Sequence, residues 1–240
     1  CQLHARNEHT HDLIHLGNKG YNLTQLIKLG VKVPTGSILT SEFFRCQEII
    51  RRFPPAWHDF TQRLDKEISY IEKATGRRFG SRTDPLLVSV RSCPIISMPG
   101  MMSTIHNLGI NEEIVQELAE RTGKPYFAWD TYRRFIQSWC MSGGMERDEF
   151  SHIMRDAKAR HGVDKKQHFN AEQMRELTLT YKQAARDHGL GIPDDPWMQL
   201  HDSINMVISS WNATEAAKYR SLMDISDEWG TAVLIQGMVF

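Results

Sequence analysis

What most constrains this chain is where its β character lies. Extended, β-rich sequence occurs at residues 31–40 (VKVPTGSILT), at residues 85–91 (PLLVSVR), and then only in the final AVLIQGMVF, while residues 111–223 read as helix after helix. A lone strand is not stable in water, so the last segment needs the earlier ones as sheet partners. The helical residues then become an insertion, 111–223, into an α/β lobe built from 1–110 and 224–240. The predicted class is α+β. A sequence that stops inside an apolar strand is also expected to leave an unpaired edge, or to lack the partner it was built against, which points to a fragment of something longer.

Composition narrows the partners. The 240 residues are enough for a sizeable core. Lys+Arg and Asp+Glu both number 29, so the net charge is zero, which argues against a nucleic-acid backbone or an anionic membrane as a general partner. Any bound anion must meet a local site. The longest apolar runs, 86–90 and 232–235, fall far short of the about 20 residues that span a bilayer, and CQLHARNEHTHDLIH lacks the apolar core of a signal peptide. Cys1, Cys46, Cys93 and Cys140 form no C-x-x-C pair, and their surroundings share nothing that marks a repeat. The chain reads as soluble and cytoplasmic, with reduced thiols.

Along the chain, Leu16-Gly-Asn-Lys-Gly20 reads as a loop feeding a helix with Leu23, Leu26, Ile27 and Leu29, closed by Gly30. Ser41 is the expected cap of a second helix, which Pro54-Pro55 breaks. A longer amphipathic helix over 56–75 turns Trp57, Phe60, Leu64, Ile68 and Ile71 to one face. Residues 85–91 read as a strand buried on both faces. Further helices are expected over 111–121, from Pro125 to Gly143-Gly144, over 147–161 and 171–188, and as one piece over 196–223.

Four groups could carry chemistry. Lys19 stands between glycines at a helix mouth, where backbone N–H groups, the dipole and a flexible cation together suit phosphate; the plainer reading is a solvated lysine in a turn. Arg91, read as the C-terminal end of a buried strand, sits where α/β folds open ligand crevices and can grip phosphate with two parallel hydrogen bonds; otherwise it caps the sheet through a carboxylate. Residues 97–103 (SMPGMMS) lack a core pattern and combine Gly100, hydroxyls and adaptable methionines, as a flap over a ligand would, or a plug in the core. Arg133 and Arg134 read as a solvated or ion-paired helix face, with contact to a nucleotide as the alternative. His4, His9, His11 and His15 lack the supporting thiolate or carboxylate spacing of a metal site, so no metal ligand is assigned.

Taken together, these segments resemble one family. GNKGYNLTQLIKLGVKVPTGSILT resembles the G-G-K-G-x-N-L opening of the nucleotide-binding domain shared by pyruvate, phosphate dikinase and phosphoenolpyruvate synthase. LLVSVRSCPIISMPGMMSTIHNLGIN, PYFAWDTYRRFIQSW and the terminal AVLIQGMVF are similar to the dikinase branch. The resemblance implies an ATP-grasp fold of which this chain holds the first lobe, with the second lobe missing. It implies ATP as ligand, with Lys19 and Arg91 at the phosphates, Met101, Met102 and Ser103 near the transferred groups, and Gln236, Gly237, Met238 and Val239 as a hinge strand against adenine. It also implies Mg²⁺ held by acidic residues of the second lobe, and transfer of the β,γ-pyrophosphoryl unit to a histidine on a separate domain, which later phosphorylates pyruvate in a third. By that resemblance the partners are ATP, the phosphohistidine domain and the pyruvate/phosphoenolpyruvate-binding domain, and the chain alone is expected to be inactive. Asn18, Cys93 and Ser103 depart from the family's usual glycine, glycine and aspartate, which keeps open a non-catalytic nucleotide-binding or regulatory module with the same fold.

Overall fold

The computed structural model describes residues 2–3 and 12–239; the expectations for Cys1, His4, His9 and His11 lie outside the described residues. In chain order the elements begin with α1 (Leu13–Lys28), β1 (Gly36–Leu39), α2 (Ser41–Arg52), α3 (Pro54–Thr75), β2 (Arg78–Phe79), β3 (Pro85–Leu86), β4 (Val88–Pro94) and β5 (Thr104–Leu108). They continue with α4 (Glu112–Thr122), α5 (Pro125–Ser142), α6 (Arg147–His161), α7 (Ala171–Asp187), α8 (Pro196–Ser209), α9 (Thr214–Leu222) and β6 (Thr231–Gly237). Helices combined with an antiparallel sheet make the α+β class. The chain forms two compact units, one of Cys1–Arg77, Val88–Thr104 and Ile204–Phe240, the other of Arg78–Leu87 and Ile105–Ser203.

In the first unit, β6 pairs antiparallel with β1, Ile38 opposite Leu234, and on its other side with β4, Arg91 opposite Leu234. The expected unpaired edge is therefore corrected: β6 has a strand on each side, because its all-apolar stretch is buried on both faces. Side chains alternate along a strand and opposite residues share a face. Ser89, Arg91 and Cys93 thus lie on one face with Gln236, Leu234, Ala232, Gly36 and Ile38. The apolar members of that face, Ile38, Cys93, Ala232 and Leu234, pack with Leu16, with Tyr21, Leu23 and Ile27 of α1 closing the cluster. On the other face Ser37 donates to Glu67 of α3 at 2.5 Å, and Gly237 approaches Ile71. α3 buries Leu64, Ile68 and Ile71 of the predicted stripe, while Trp57 and Phe60 are half-buried.

Several boundaries shift for local reasons. Residues 16–20, expected as a loop, lie inside α1: a first turn at 13–16 is capped by Asp12 accepting from the His15 N–H at 2.8 Å, only Gly17 is non-helical (φ 66°, ψ 172°), and helix continues from residue 18. Thr40, not Ser41, is the N-cap of α2; the Ser41 hydroxyl instead donates to the Ile14 carbonyl at 2.9 Å. Arg91 is mid-strand, not at the strand end, because pairing continues to Pro94 opposite Thr231. The single helix expected over 196–223 is two, separated by a 3₁₀ turn at Ser210–Asn212, where the Trp211 carbonyl accepts from the buried Arg220 guanidinium.

The second unit centres on α5 against α7. Tyr132, Phe135, Ile136 and Trp139 are buried, and the Thr178 hydroxyl of α7 donates to the Trp129 carbonyl at 3.1 Å. The turn after β5 is held by Gln199, fully buried, whose amide accepts from the Gly109 N–H at 3.0 Å and donates to the carbonyls of Ile110 and Pro193 at 2.9 and 2.7 Å.

Gly17 is the least replaceable position in this frame. Its φ is positive, and a Cβ there would lie 1.7 Å from the Cys93 carbonyl oxygen. Gly17→Ala is expected to cost more than about 3 kcal/mol, read as a lowered urea midpoint with unchanged slope, or to prevent folding.

Candidate functional site

The backbone approach at Gly17 brings the mouth of α1 onto β4. Cys93 lies beneath it, fully buried, and burial pushes its thiol up to about 11. Three influences pull the other way: the Lys19 charge, the nearby Gly20 backbone N–H and the Arg91 charge. The Cys93 sulfur thus lies within electrostatic range of both sequence-predicted cations.

Arg91 is the more constrained of the two. One of its terminal nitrogens donates to the Ser89 hydroxyl at 3.3 Å, and that hydroxyl donates in turn to the Gln236 carbonyl at 3.4 Å. Its Nε is buried with no hydrogen-bond partner among the described residues, and no ion pair is made to it there. The carboxylate that would make Arg91 a sheet cap is therefore not among them. A buried guanidinium Nε without a partner is costly, which makes Arg91, half-buried as a residue, receptive to an anion. Lys19 is exposed and likewise makes no ion pair among the described residues. Asn18 accepts from the Asn22 side chain one helical turn on.

The segment 97–103 has more packing than its sequence announced. The Met101 N–H donates to the Met98 carbonyl at 3.2 Å around Pro99 and Gly100 (φ 76°), a type II turn that needs the left-handed glycine. Space around Gly100 is open, so the turn, and not close approach, requires it. Met98 is buried with Trp211, Ala216 and Ile225, and Met101 and Met102 pack partly on the same cluster. Ser103 is tied at both ends of its peptide unit: its N–H donates to the Ser210 hydroxyl at 3.1 Å, and its carbonyl accepts from the Ser92 N–H at 3.5 Å, one residue from Arg91.

Of the terminal residues, Gln236 is buried and its amide donates to the Pro34 carbonyl at 2.9 Å, while the Gly237 N–H donates to the Thr35 carbonyl at 2.9 Å. Met238 and Val239 lie past the strand, Val239 exposed. Arg133 is in the second unit, buried, and bonds to Asp130 and Gln137 at 2.8 and 2.9 Å, with the guanidinium 5.5 Å from the Tyr181 ring centroid. Burial would raise the Asp130 carboxyl, but the Arg133 charge and a Lys166 hydrogen bond at 2.7 Å hold it below the ordinary range. This is the ion-paired reading of Arg133; Arg134 is exposed.

Among the described residues no group of three His, Cys, Asp or Glu side chains is arranged to hold a metal, and no helix is long and apolar enough to cross a membrane. Ser89 and Ser210 were not singled out from sequence. Ser89 could have been, since i and i+2 on a strand share a face with Arg91; Ser210, 107 positions from Ser103, left no signal.

The family model for the pyruvate phosphate dikinase AMP/ATP-binding domain matches residues 56–240. The chain belongs to this family. The matched segment holds Arg91, the 97–103 loop and β6, while Lys19 precedes it. Among curated relatives, pyruvate, phosphate dikinase of Rhizobium meliloti (strain 1021) is 40% identical over 227 residues, 94% of this chain and 25% of that protein. The enzyme of the same name from Clostridium symbiosum is 37% identical over 228 residues, 94% of this chain and 26% of that protein, and that from Giardia intestinalis 38% identical over 231 residues, 94% and 25%. The chain thus spans about a quarter of the length of these dikinases.

His15, the one described residue of the histidine group near the amino terminus, is engaged by acids and not by a metal set. It sits 2.7 Å from Asp12 and 3.4 Å from Glu42, bridging the starts of α1 and α2. The Asp12 hydrogen bond, followed by the charges of Asp12 and Glu42, outweighs partial burial and raises its pKa above the usual 6.5. A raised folded-state value means the bridge stabilises fully below the unfolded pKa and fades as pH rises through the folded one. His15→Gln is expected to lower Tm by roughly 1–3 °C at about pH 5.5 and by almost nothing at about pH 8.5, checked by thermal melts across that range.

Proposed function

We propose that this chain binds ATP as the first lobe of an ATP-grasp-like domain, with the helical residues 111–223 inserted into it, within a pyruvate, phosphate dikinase-like phosphotransferase. The observation that carries the reading is Arg91: a guanidinium with a buried, unpartnered Nε, on the same sheet face as Cys93, whose sulfur also feels Lys19. Phosphoryl transfer depends on positioning and charge neutralisation, so Lys19 and Arg91 act as electrostatic clamps on the phosphates, not as proton carriers. Met101, Met102 and Ser103 lie toward the transferred groups, and Gln236, Gly237, Met238 and Val239 toward the adenine. Support for that placement comes from the Arg91–Ser89–Gln236 chain, which ties the phosphate cation to the end of β6.

In this reading the β,γ-pyrophosphoryl unit passes to a histidine on another domain of the parent protein and thence to pyruvate. Mg²⁺ supplies charge neutralisation at the phosphates when bound. The described residues offer no fitting set of ligands for it, so the proposal assigns the metal to a second lobe and routes no step through this chain's residues.

A second reading rests on Cys93. Its side chain stands fully buried where the family usually has glycine, and Asn18 and Ser103 also depart from the family pattern. That favours a nucleotide-binding module without turnover, and AMP release from ATP by the full natural polypeptide separates the two: sustained AMP formation excludes the second.

Arg91→Ala in the full natural polypeptide is expected to weaken ATP binding roughly tenfold to a hundredfold, the loss of about 1.5–3 kcal/mol of charge-assisted hydrogen bonding, measured by calorimetry. Arg91→Lys should recover little of it, because an ammonium cannot reproduce the planar fork. Unchanged affinity in Arg91→Ala would refute the assignment.

A further inference from the structure

The hydroxyl of Ser210 is the point at which the 97–103 loop is fastened to the rest of its unit. Ser210 opens the 3₁₀ turn that interrupts the helical run between α8 and α9. Its single hydroxyl proton is directed to the Val207 carbonyl at 2.6 Å, so toward Ser103 the oxygen acts as acceptor of the backbone N–H at 3.1 Å. Its remaining neighbour, the Met102 sulfur at 3.9 Å, belongs to the same loop.

The turn that carries Ser210 is itself braced. Arg220, 2% exposed, donates to the Trp211 carbonyl and, through Nε at 2.6 Å, to the Asp227 carboxylate, with its guanidinium 4.3 Å from the Trp211 ring centroid. The Trp211 indole N–H donates to the Asp227 carbonyl at 3.0 Å. Trp211 in turn is the floor on which Met98 is buried. The loop therefore rests on an apolar floor at Met98 and is held at Ser103 by two polar bonds, the shorter of them to Ser210. From Ser103 the next link, carbonyl to the Ser92 N–H, reaches the neighbour of Arg91.

We propose that Ser210 is a positioning residue: by accepting the Ser103 N–H it fixes the 97–103 loop relative to Arg91 and so sets that loop's contribution to nucleotide affinity. The functional half rests on the ATP-binding reading above; the positional half does not. A hydroxyl at 210 is what the role demands, so threonine is the conservative replacement and alanine the removing one.

The test compares wild type, Ser210→Ala and Ser210→Thr in the full natural polypeptide by two readouts. The first is amide hydrogen exchange at Ser103, with the amides of β6 as an internal control for an intact fold. The second is ATP affinity by calorimetry. Ser210→Ala is expected to speed exchange at Ser103 at least tenfold, to leave β6 amides unchanged and to weaken ATP binding roughly fivefold, while Ser210→Thr restores both values. Unchanged Ser103 exchange in Ser210→Ala overturns the proposal. So does faster exchange with ATP affinity unaltered. If β6 amides exchange faster as well in Ser210→Ala, the residue is merely structural and the proposal also falls. A wild-type protein that binds no ATP would sink the ATP-binding reading and with it the functional half, while the exchange comparison alone still decides whether Ser210 holds the loop.

Discussion

The site depends on a contact between backbones that tolerates no side chain. At Gly17 helix α1 kinks with its α-carbon pressed against the Cys93 carbonyl, and the helix beyond is carried in by that approach. Lys19 and Gly20 come next along the helix, and Arg91 lies two residues back along β4 on the same face. The helical turn after Gly17 thus starts over β4 beside Cys93, on the face that also holds Arg91. Burial keeps that thiol protonated despite its cationic neighbours, so it adds no negative charge to the region.

A sheet of modest extent can organise so much because both of its faces are engaged. α1 covers the face that holds Arg91, and α3 covers the other with Leu64, Ile68 and Ile71. The polar side chains on the first face, Ser89 and Gln236, are bound to one another's strands or to the segment before β1, which leaves the Arg91 Nε as the group whose demand nothing nearby answers. In the second unit the same accounting comes out differently. Arg133 and Lys182 are both buried there, yet each has acids: Asp130 for the first, Glu112 at 2.6 Å for the second. Arg220 of the first unit, paired with Asp227, follows the same rule, so Arg91 is the exception among these cations.

Much of this was legible in the residues. Helix starts at Asn111 and Pro125 follow from side-chain capping and proline geometry, and the strand character of 231–237 from its apolar run. The pairing of distant β segments followed from the need of any strand for partners. What was not legible depended on tertiary contacts. Nothing local distinguishes residues 209–213 from helix; the break there is fixed by Arg220 taking the Trp211 carbonyl. The extent of β4 past Arg91 is set by its pairing with Thr231, and the methionines of the 97–103 loop look patternless because their floor comes from a segment more than a hundred residues away. The family resemblance supplied roles for residues that spacing alone left ambiguous, and the match over residues 56–240 establishes the family without testing those roles.

The central place of β6 has a consequence for how the chain comes into being. Cys93 and Thr231, bonded across the sheet, are separated by 138 positions. Synthesis runs from the amino terminus, so β1 and β4 are finished long before the strand that must slot between them, and they wait with unsatisfied edges. The helical stretch of Ile105–Ser203, built mainly from contacts between near neighbours in sequence, can meanwhile condense on its own. β6, the last of these strands to be made, is then the one that closes the sheet, and only with it in place is the Arg91 Nε buried. Until β6 is made, the region has its cations but not the sheet that holds Arg91 in place.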